Sequence, residues 1–147
     1  MRKESTLDIF STPGFLVNRL AHEMTVALDR KLKQYNVTLS QWKVLLVLWE
    51  SEGRSQVELQ ELLGVEGASM TGLVQRMEHC GLVQRKPDQV DKRMLRVYSS
   101  EQGRALKSVI APLIDEVSEQ AYQGFSDDEC VFLTRLLQRS LQNFAQK

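Results

Sequence analysis

The chain of 147 residues balances 19 lysines and arginines against 19 aspartates and glutamates, for a formal net charge of zero. That length holds one domain and not two full-sized ones, and a composition 42% apolar and 26% charged is that of a globular chain. Zero net charge argues against non-specific nucleic-acid binding, while two distant cysteines, Cys80 and Cys130, without a CxxC, exclude a disulfide framework and a thiolate metal site.

The opening MRKESTLDIFS lacks the apolar stretch of a signal peptide, and no apolar run approaches membrane-spanning length. The expected location is cytoplasmic, with no membrane partner. Residues 13–35 read as a long helix, with Leu16, Leu20, Met24, Leu28, Leu32 and Tyr35 recurring at helical steps. Pro13 suits its first turn. Phe10, Phe15 and Val17 add apolar surface beyond that stripe and point to a subunit interface. Thr38 with Gln41 is a capping box for a second helix, whose body WKVLLVLWES is apolar nearly all round and therefore central.

Ser55 with Glu58 caps a third helix, with Val57, Leu59, Leu62 and Leu63 as its buried side and Gly64 as its end. Val65 plugs the turn, and a fourth helix covers about Glu66 to Cys80, closed by Gly81. Leu82–Lys86 and Met94–Tyr98 alternate as two antiparallel strands around a loop marked by Pro87. A fifth helix runs from Glu101 to about Gln123, with Leu106, Val109 or Ile110, Leu113, Val117 and Ala121 on one side and Pro112 expected to bend it or interrupt its bonding. Gly124 ends it. Ser126 with Glu129 caps the last helix. Neither of these two helices has room to bury its apolar face in so small a unit, so the first, fifth and sixth are expected to pack against a second copy of the chain. The fold class is mainly α: a winged helix-turn-helix with a two-stranded β-wing and long N- and C-terminal dimerisation helices.

Charge is unevenly distributed along this frame. Residues 70–100 carry Arg76, Arg85, Lys86, Lys92, Arg93 and Arg96 against Glu78, Asp88 and Asp91, a basic stripe suited to a local anionic partner. At 100° per residue, Met70, Leu73, Val74 and Met77 share the core face of the fourth helix. The opposite side then presents Ala68, Ser69, Thr71, Gly72, Gln75 and Arg76. Glutamine pairs with adenine, arginine with guanine or phosphate, and small hydroxyls with phosphate. A mid-helix glycine costs about 1 kcal/mol against alanine, which close approach to a groove would offset. At the hairpin tip Lys92 and Arg93 suit DNA, Arg93 in a narrow minor groove, and Asp91 serves as wing support by holding the Arg93 guanidinium. Ser55 completes the expected DNA-contacting set.

The run LGVEGASMTGLVQRMEHCGLVQRKPDQVDKRMLRVYSSEQG resembles the winged-helix core of MarR-type regulators, with Leu63-Gly64-Val65, Thr71, Leu73, Val74, Arg76, Gly81-Leu82-Val83, Arg85, Asp91, Arg93, Val97 and Gly103 at the family's spacing. The resemblance covers nearly the whole chain. It implies one MarR-type domain over 10–146, with a winged core at about 38–99, a helix-turn-helix at 55–80, a wing at 82–98, and dimerisation helices at 10–35 and 101–146. It further implies a homodimer on double-stranded DNA at a pseudo-palindromic operator, acting as a repressor released by a small-molecule effector, often phenolic, or by cysteine oxidation. In many members the ligand lies where the dimerisation helices meet the winged unit. Gly72 stands where the family often has arginine, Glu66-Gly67 replaces Ser-Pro, and Ser99-Ser100 replaces Leu-Thr, which should loosen packing after the second wing strand. The peroxide-sensing branch has its cysteine in the N-terminal region, and Phe10 to Leu20 contains none.

Cys80 closes the recognition helix beside His79, where the helix dipole does not favour a thiolate, and Cys130 sits among Asp127, Asp128 and Glu129, so both read as structural. The two histidines, His22 and His79, lack metal-ligand spacing, and no nucleophile–base constellation or phosphate loop is present; no enzyme activity, metal or cofactor is expected. The alternatives are a winged module that binds protein or RNA, and a redox-responsive regulator acting through Cys80 or Cys130.

Overall fold

The computed structural model describes residues 8–145; the reading of MRKESTL and the expected domain end at 146 lie outside the described residues. A 3-10 turn, Ile9–Ser11, leads into α1, Pro13–Leu32, where the Thr12 hydroxyl accepts from the Phe15 amide and Pro13 fills the first turn. The helix is three residues shorter than its apolar pattern suggests. Lys33–Tyr35 tighten into a 3-10 turn before Asn36 turns left-handed, at φ 55°. α2, Leu39–Glu50, starts on the expected capping box: the Gln41 amide donates to Thr38 and the Thr38 amide to the Gln41 side chain.

α2 is the central element. Val44, Leu45 and Leu48 are fully buried, and one face of α2 meets each of two cores, although Leu46 turns outward, so the helix is not covered all round. The larger core joins those three to Leu59, Met70, Leu73, Val74, Met77, Leu82, Val83 and Val97. The second joins Leu28, Leu32 and Val37 to Ile110, Leu113 and Val117, and Trp49 and Leu106 pack against both. Each such side chain contributes about 1.5–3 kcal/mol on burial.

The winged unit follows: β1, Arg54–Ser55; α3, Gln56–Leu63; α4, Gly67–His79; β2, Val83–Pro87; and β3, Leu95–Ser99. The sheet is three-stranded and antiparallel in the order β1-β3-β2, with Arg54 opposite Val97 and Arg85 opposite Val97 on the other side. The wing itself, β2 and β3, is two-stranded as expected, and β1 adds a third strand to its sheet. A two-residue strand is too short to show alternation, and only its pairing with β3 reveals it. Val57 and Leu62 are not core residues; both are more than half exposed. An eight-residue helix buries one stripe, here Leu59 with Leu63 beside it, and the other two fall off that stripe.

α5, Glu101–Ala121, runs unbroken through Pro112, whose missing N–H removes one bond on the exposed side. Contrary to expectation, α5 does bury its face within the chain, Ile110 rather than Val109 together with Leu113 and Val117, because α1 lies alongside and Lys31 reaches Glu116 at 2.5 Å. α6, Asp127–Ala145, starts on the Ser126–Glu129 capping box and has no buried residue.

Candidate nucleic-acid interface

The site is built from α3 upward. The Ser55 hydroxyl accepts from the Glu58 amide at 3.2 Å, and the Glu58 carboxylate accepts from the Ser55 amide at 2.7 Å. Ser55 is only 8% exposed. The hydroxyl is thus engaged as the cap of α3. The Ser55 amide first, and Arg54 with it, hold the Glu58 carboxyl below its ordinary range. Gly64, at φ 63°, ends α3, and residues 64–66 turn the chain into α4.

With Met70, Leu73, Val74 and Met77 buried, α4 turns Ala68, Ser69, Gln75 and Arg76 to solvent, with Thr71 and Gly72 half-buried among them. Thr71 is held rather than free: its hydroxyl lies 3.2 Å from the Gln56 side-chain oxygen and 3.1 Å from the Gly67 carbonyl, tying α4 to α3. A Cβ on Gly72 would stand 3.3 Å from Arg76 Nη1. The space that the glycine leaves is therefore where the Arg76 guanidinium lies.

The wing is stiffened by its acids. Asp88 accepts from the amides of Val90 at 2.8 Å and Asp91 at 3.0 Å, and from Arg96 Nε. The Arg96 guanidinium and then those two amides hold its carboxyl at about 2. Arg96 also donates to the Gly53 carbonyl at 2.8 Å, which pins the wing to the turn before β1. At the tip, Asp91 Oδ1 accepts from both the Arg93 amide and Arg93 Nε at 3.1 Å, and the Arg93 side chain is 93% exposed. Lys92 is exposed beside it. Arg85, in β2, donates twice to Glu78 at the end of α4, at 2.6 and 2.9 Å, which ties the wing to α4.

Ser99-Ser100 does not loosen the end of β3. Both are buried. The Ser99 amide donates to Glu52 at 2.8 Å and its hydroxyl to the same carboxylate, while the Ser100 hydroxyl donates to the Gly81 carbonyl at 2.5 Å and accepts from the Gly103 amide at 2.9 Å. Gly103 seals this seam: a Cβ there would lie 2.2 Å from the Leu82 carbonyl oxygen.

Sequence reasoning missed the roles of Asp88, Glu52 and Glu78. Asp88 two and three residues before the amides it accepts is an Asx-turn pattern that spacing can reveal; the partners of Glu52, 47 residues away, have no local signal. It also missed that Ser40 and Lys43 of α2 face Ser69 and Arg76 of α4 across a concavity of about 180 Å³. Cys80 is exposed at the end of α4 and Cys130 half-buried in α6. Among the described residues, no group of three His, Cys, Asp or Glu side chains is arranged to hold a metal, and no helix is long and apolar enough to cross a membrane.

Two short helices about a three-residue turn, followed by a braced hairpin, define a winged helix-turn-helix protein. Residues 37–95 match the model of the MarR family. It is 37% identical over 93 residues to the HTH-type transcriptional regulator TtmR of Methylorubrum extorquens (strain PA1), covering 63% of this chain and 48% of TtmR. It is 33% identical over 93 residues to the organic hydroperoxide resistance transcriptional regulator of Bacillus subtilis (strain 168), covering 63% of each. The match thus spans less than two thirds of either relative's length. Among solved structures, a mutant MarR from E. coli complexed with operator DNA is similar at TM-score 0.77 and 26% identity, over 87% of this chain and 92% of that one. CouR from Rhodococcus jostii RHA1, bound to p-coumaroyl-CoA, is similar at TM-score 0.75 and 25% identity, over 90% and 91%.

Proposed function

We propose that the protein is a homodimeric, sequence-specific DNA-binding transcriptional regulator, acting as a repressor that a small ligand releases. The observation that carries this reading is the exposed polar face of α4 beside a wing whose tip offers Arg93, almost fully exposed yet oriented by Asp91. In this reading α4 enters the major groove. Gln75 and Arg76 read bases or phosphate, Ala68, Ser69, Thr71 and Gly72 permit close approach, and Lys92 and Arg93 reach the flanking minor groove. The relative solved with operator DNA supports it.

The dimer rests on apolar surface that one chain leaves open. Phe10, Leu16 and Val17 at one end and Phe132, Leu141 and Phe144 of α6 are each at least half exposed. Faces of this kind are covered by association. For the ligand, a cavity of about 220 Å³ lies where α1, α2 and α5 meet, lined by Met24, Leu28, Leu39, Trp42, Lys43 and Ile114 among others. The indole N–H of Trp42 is buried without a hydrogen-bond partner among the described residues. An apolar wall with one ammonium group fits an aromatic acid or phenol, and CouR supports a ligand of that class.

The test is binding of the purified protein to duplex DNA from upstream of its own gene, in rising salt. A dimeric regulator binds it and loses affinity steeply with salt. Arg93→Ala should weaken binding while dimer and fold persist; unchanged affinity at moderate salt would remove Arg93 from the interface.

A further inference from the structure

Lys43 lies between two concavities. On one side, with Ser40, Ser69 and Arg76 above an apolar floor of Leu63, Val65 and Leu73, it lines the hollow between the first turns of α2 and the side of α4; on the other, with Thr25, Trp42 and Ser118, it lines the cavity at the junction of α1, α2 and α5. Neither lining contains a carboxylate. The contrast with the neighbouring cations is informative. Arg54 and Arg96 pair with Glu58, Arg85 with Glu78 and Arg93 with Asp91, whereas among the described residues neither Lys43 nor Arg76 has an acidic partner. Two cations without counterions across a small hollow, with two hydroxyls beside them, make an environment that favours an anion.

We infer that this hollow is the seat of a DNA backbone phosphate, held by Lys43 and Arg76 with Ser40 and Ser69, and that Lys43 is shared with the junction cavity, so that an anion bound there competes with the phosphate for the same ammonium group. The inference rests on the DNA-binding reading above. Its chemistry follows from the lysine side chain, a point charge on a flexible four-carbon stem that can turn to either side. Release of DNA then needs no rearrangement of the braced wing. It requires only that one cation per half-site be drawn toward the junction, lowering affinity for every sequence alike, since a phosphate contact carries no sequence information.

The experiment is a double-mutant cycle on operator binding, measured as a function of salt with the full chain. Lys43→Gln should weaken operator and scrambled duplex by the same factor. In a dimer it removes two phosphate contacts, so the slope of log affinity against log salt should become shallower by about 1.8, and Lys43→Arg should restore it. A fixed anion is placed in the junction by Thr25→Glu, with Thr25→Gln as its uncharged counterpart. The glutamate variant should bind operator more weakly than the glutamine variant when Lys43 is present, and the two should bind equally in the Lys43→Gln background. Thr25 and Lys43 are both exposed, and thermal melts verify that the variants fold. A wild-type salt slope in Lys43→Gln overturns the phosphate seat. A glutamate penalty that persists without Lys43 overturns the sharing. Failure of the unmutated protein to bind any duplex overturns the DNA-binding reading and this inference with it.

Discussion

The winged unit and the terminal helices solve the problem of burial in opposite ways. Between Glu52 and Gly103 the chain closes on itself: Met70, Val74, Met77 and Val97 are fully buried, and Glu52, Glu58, Glu78 and Asp88 each anchor a partner. In α6 no residue is buried, and Phe132 and Phe144 are 64% and 80% exposed. The winged unit's shape is thus set by one chain, while the surface of α6 makes physical sense only against something else. α5 stands between the two regimes, burying Ile110, Leu113 and Val117 against α1 while its far end leads into α6.

The sharpest way to break this contrast is at the seam. Gly103→Val would drive a side chain into the Leu82 carbonyl, a backbone group with little freedom to move. It should cost about 3 kcal/mol of stability in urea unfolding, with the winged unit and the terminal helices losing their mutual orientation together. Next in size, Phe132→Glu combined with Phe144→Glu should remove about 2 kcal/mol or more of association energy per aromatic anchor. Sedimentation should then show monomers whose winged unit remains folded; a dimer unaffected by both changes would mean that α6 is not its interface.

Within the winged unit the effects become smaller and more local. Gly72→Ala should stabilise α4 by about 1 kcal/mol on helix propensity, because the atom it meets, Arg76 Nη1 at 3.3 Å, is the end of a flexible side chain. It should also weaken DNA binding by displacing that guanidinium. Stability and affinity moving in opposite directions is the signature to look for in paired melting and binding curves. The smallest effect is confined to acid. Asp88 has its carboxyl lowered from 3.8 to about 2 by Arg96 and the Val90 and Asp91 amides. A carboxyl lowered in the folded state contributes its stability above the unfolded value and loses it as pH falls through the folded value. The wing tip should therefore keep its amide protection down to about pH 4 and lose it between about pH 4 and 2, as read by amide exchange at Val90 and Asp91, with no change near neutrality.

Much of this architecture is legible in the sequence because its signals are local. The capping boxes at Thr38, Ser55 and Ser126 and the left-handed glycines at 64, 81 and 124 mark helix ends within a few residues, and helical periodicity separates Met70, Leu73, Val74 and Met77 from the exposed face. What stayed hidden depends on distant partners. β1 exists only through its pairing with Val97 and Arg96, and Ser99-Ser100 reads as a loose end until Glu52 and Gly81 come to meet it. Lys43 is similar: nothing near it in sequence says that it faces α4 on one side and α5 on the other.

The central claim is that α4 and the wing of two paired chains read one duplex. The most direct measurement takes the duplex bound from upstream of the gene and inserts about five base pairs, half a helical turn, between its two half-sites. The account predicts that this insertion sharply reduces affinity and that one further half-turn restores part of it, because the dimer fixes the spacing of its two recognition helices. Affinity indifferent to both insertions would contradict it, since two recognition helices held by one dimer cannot follow half-sites that rotate to the opposite face of the DNA.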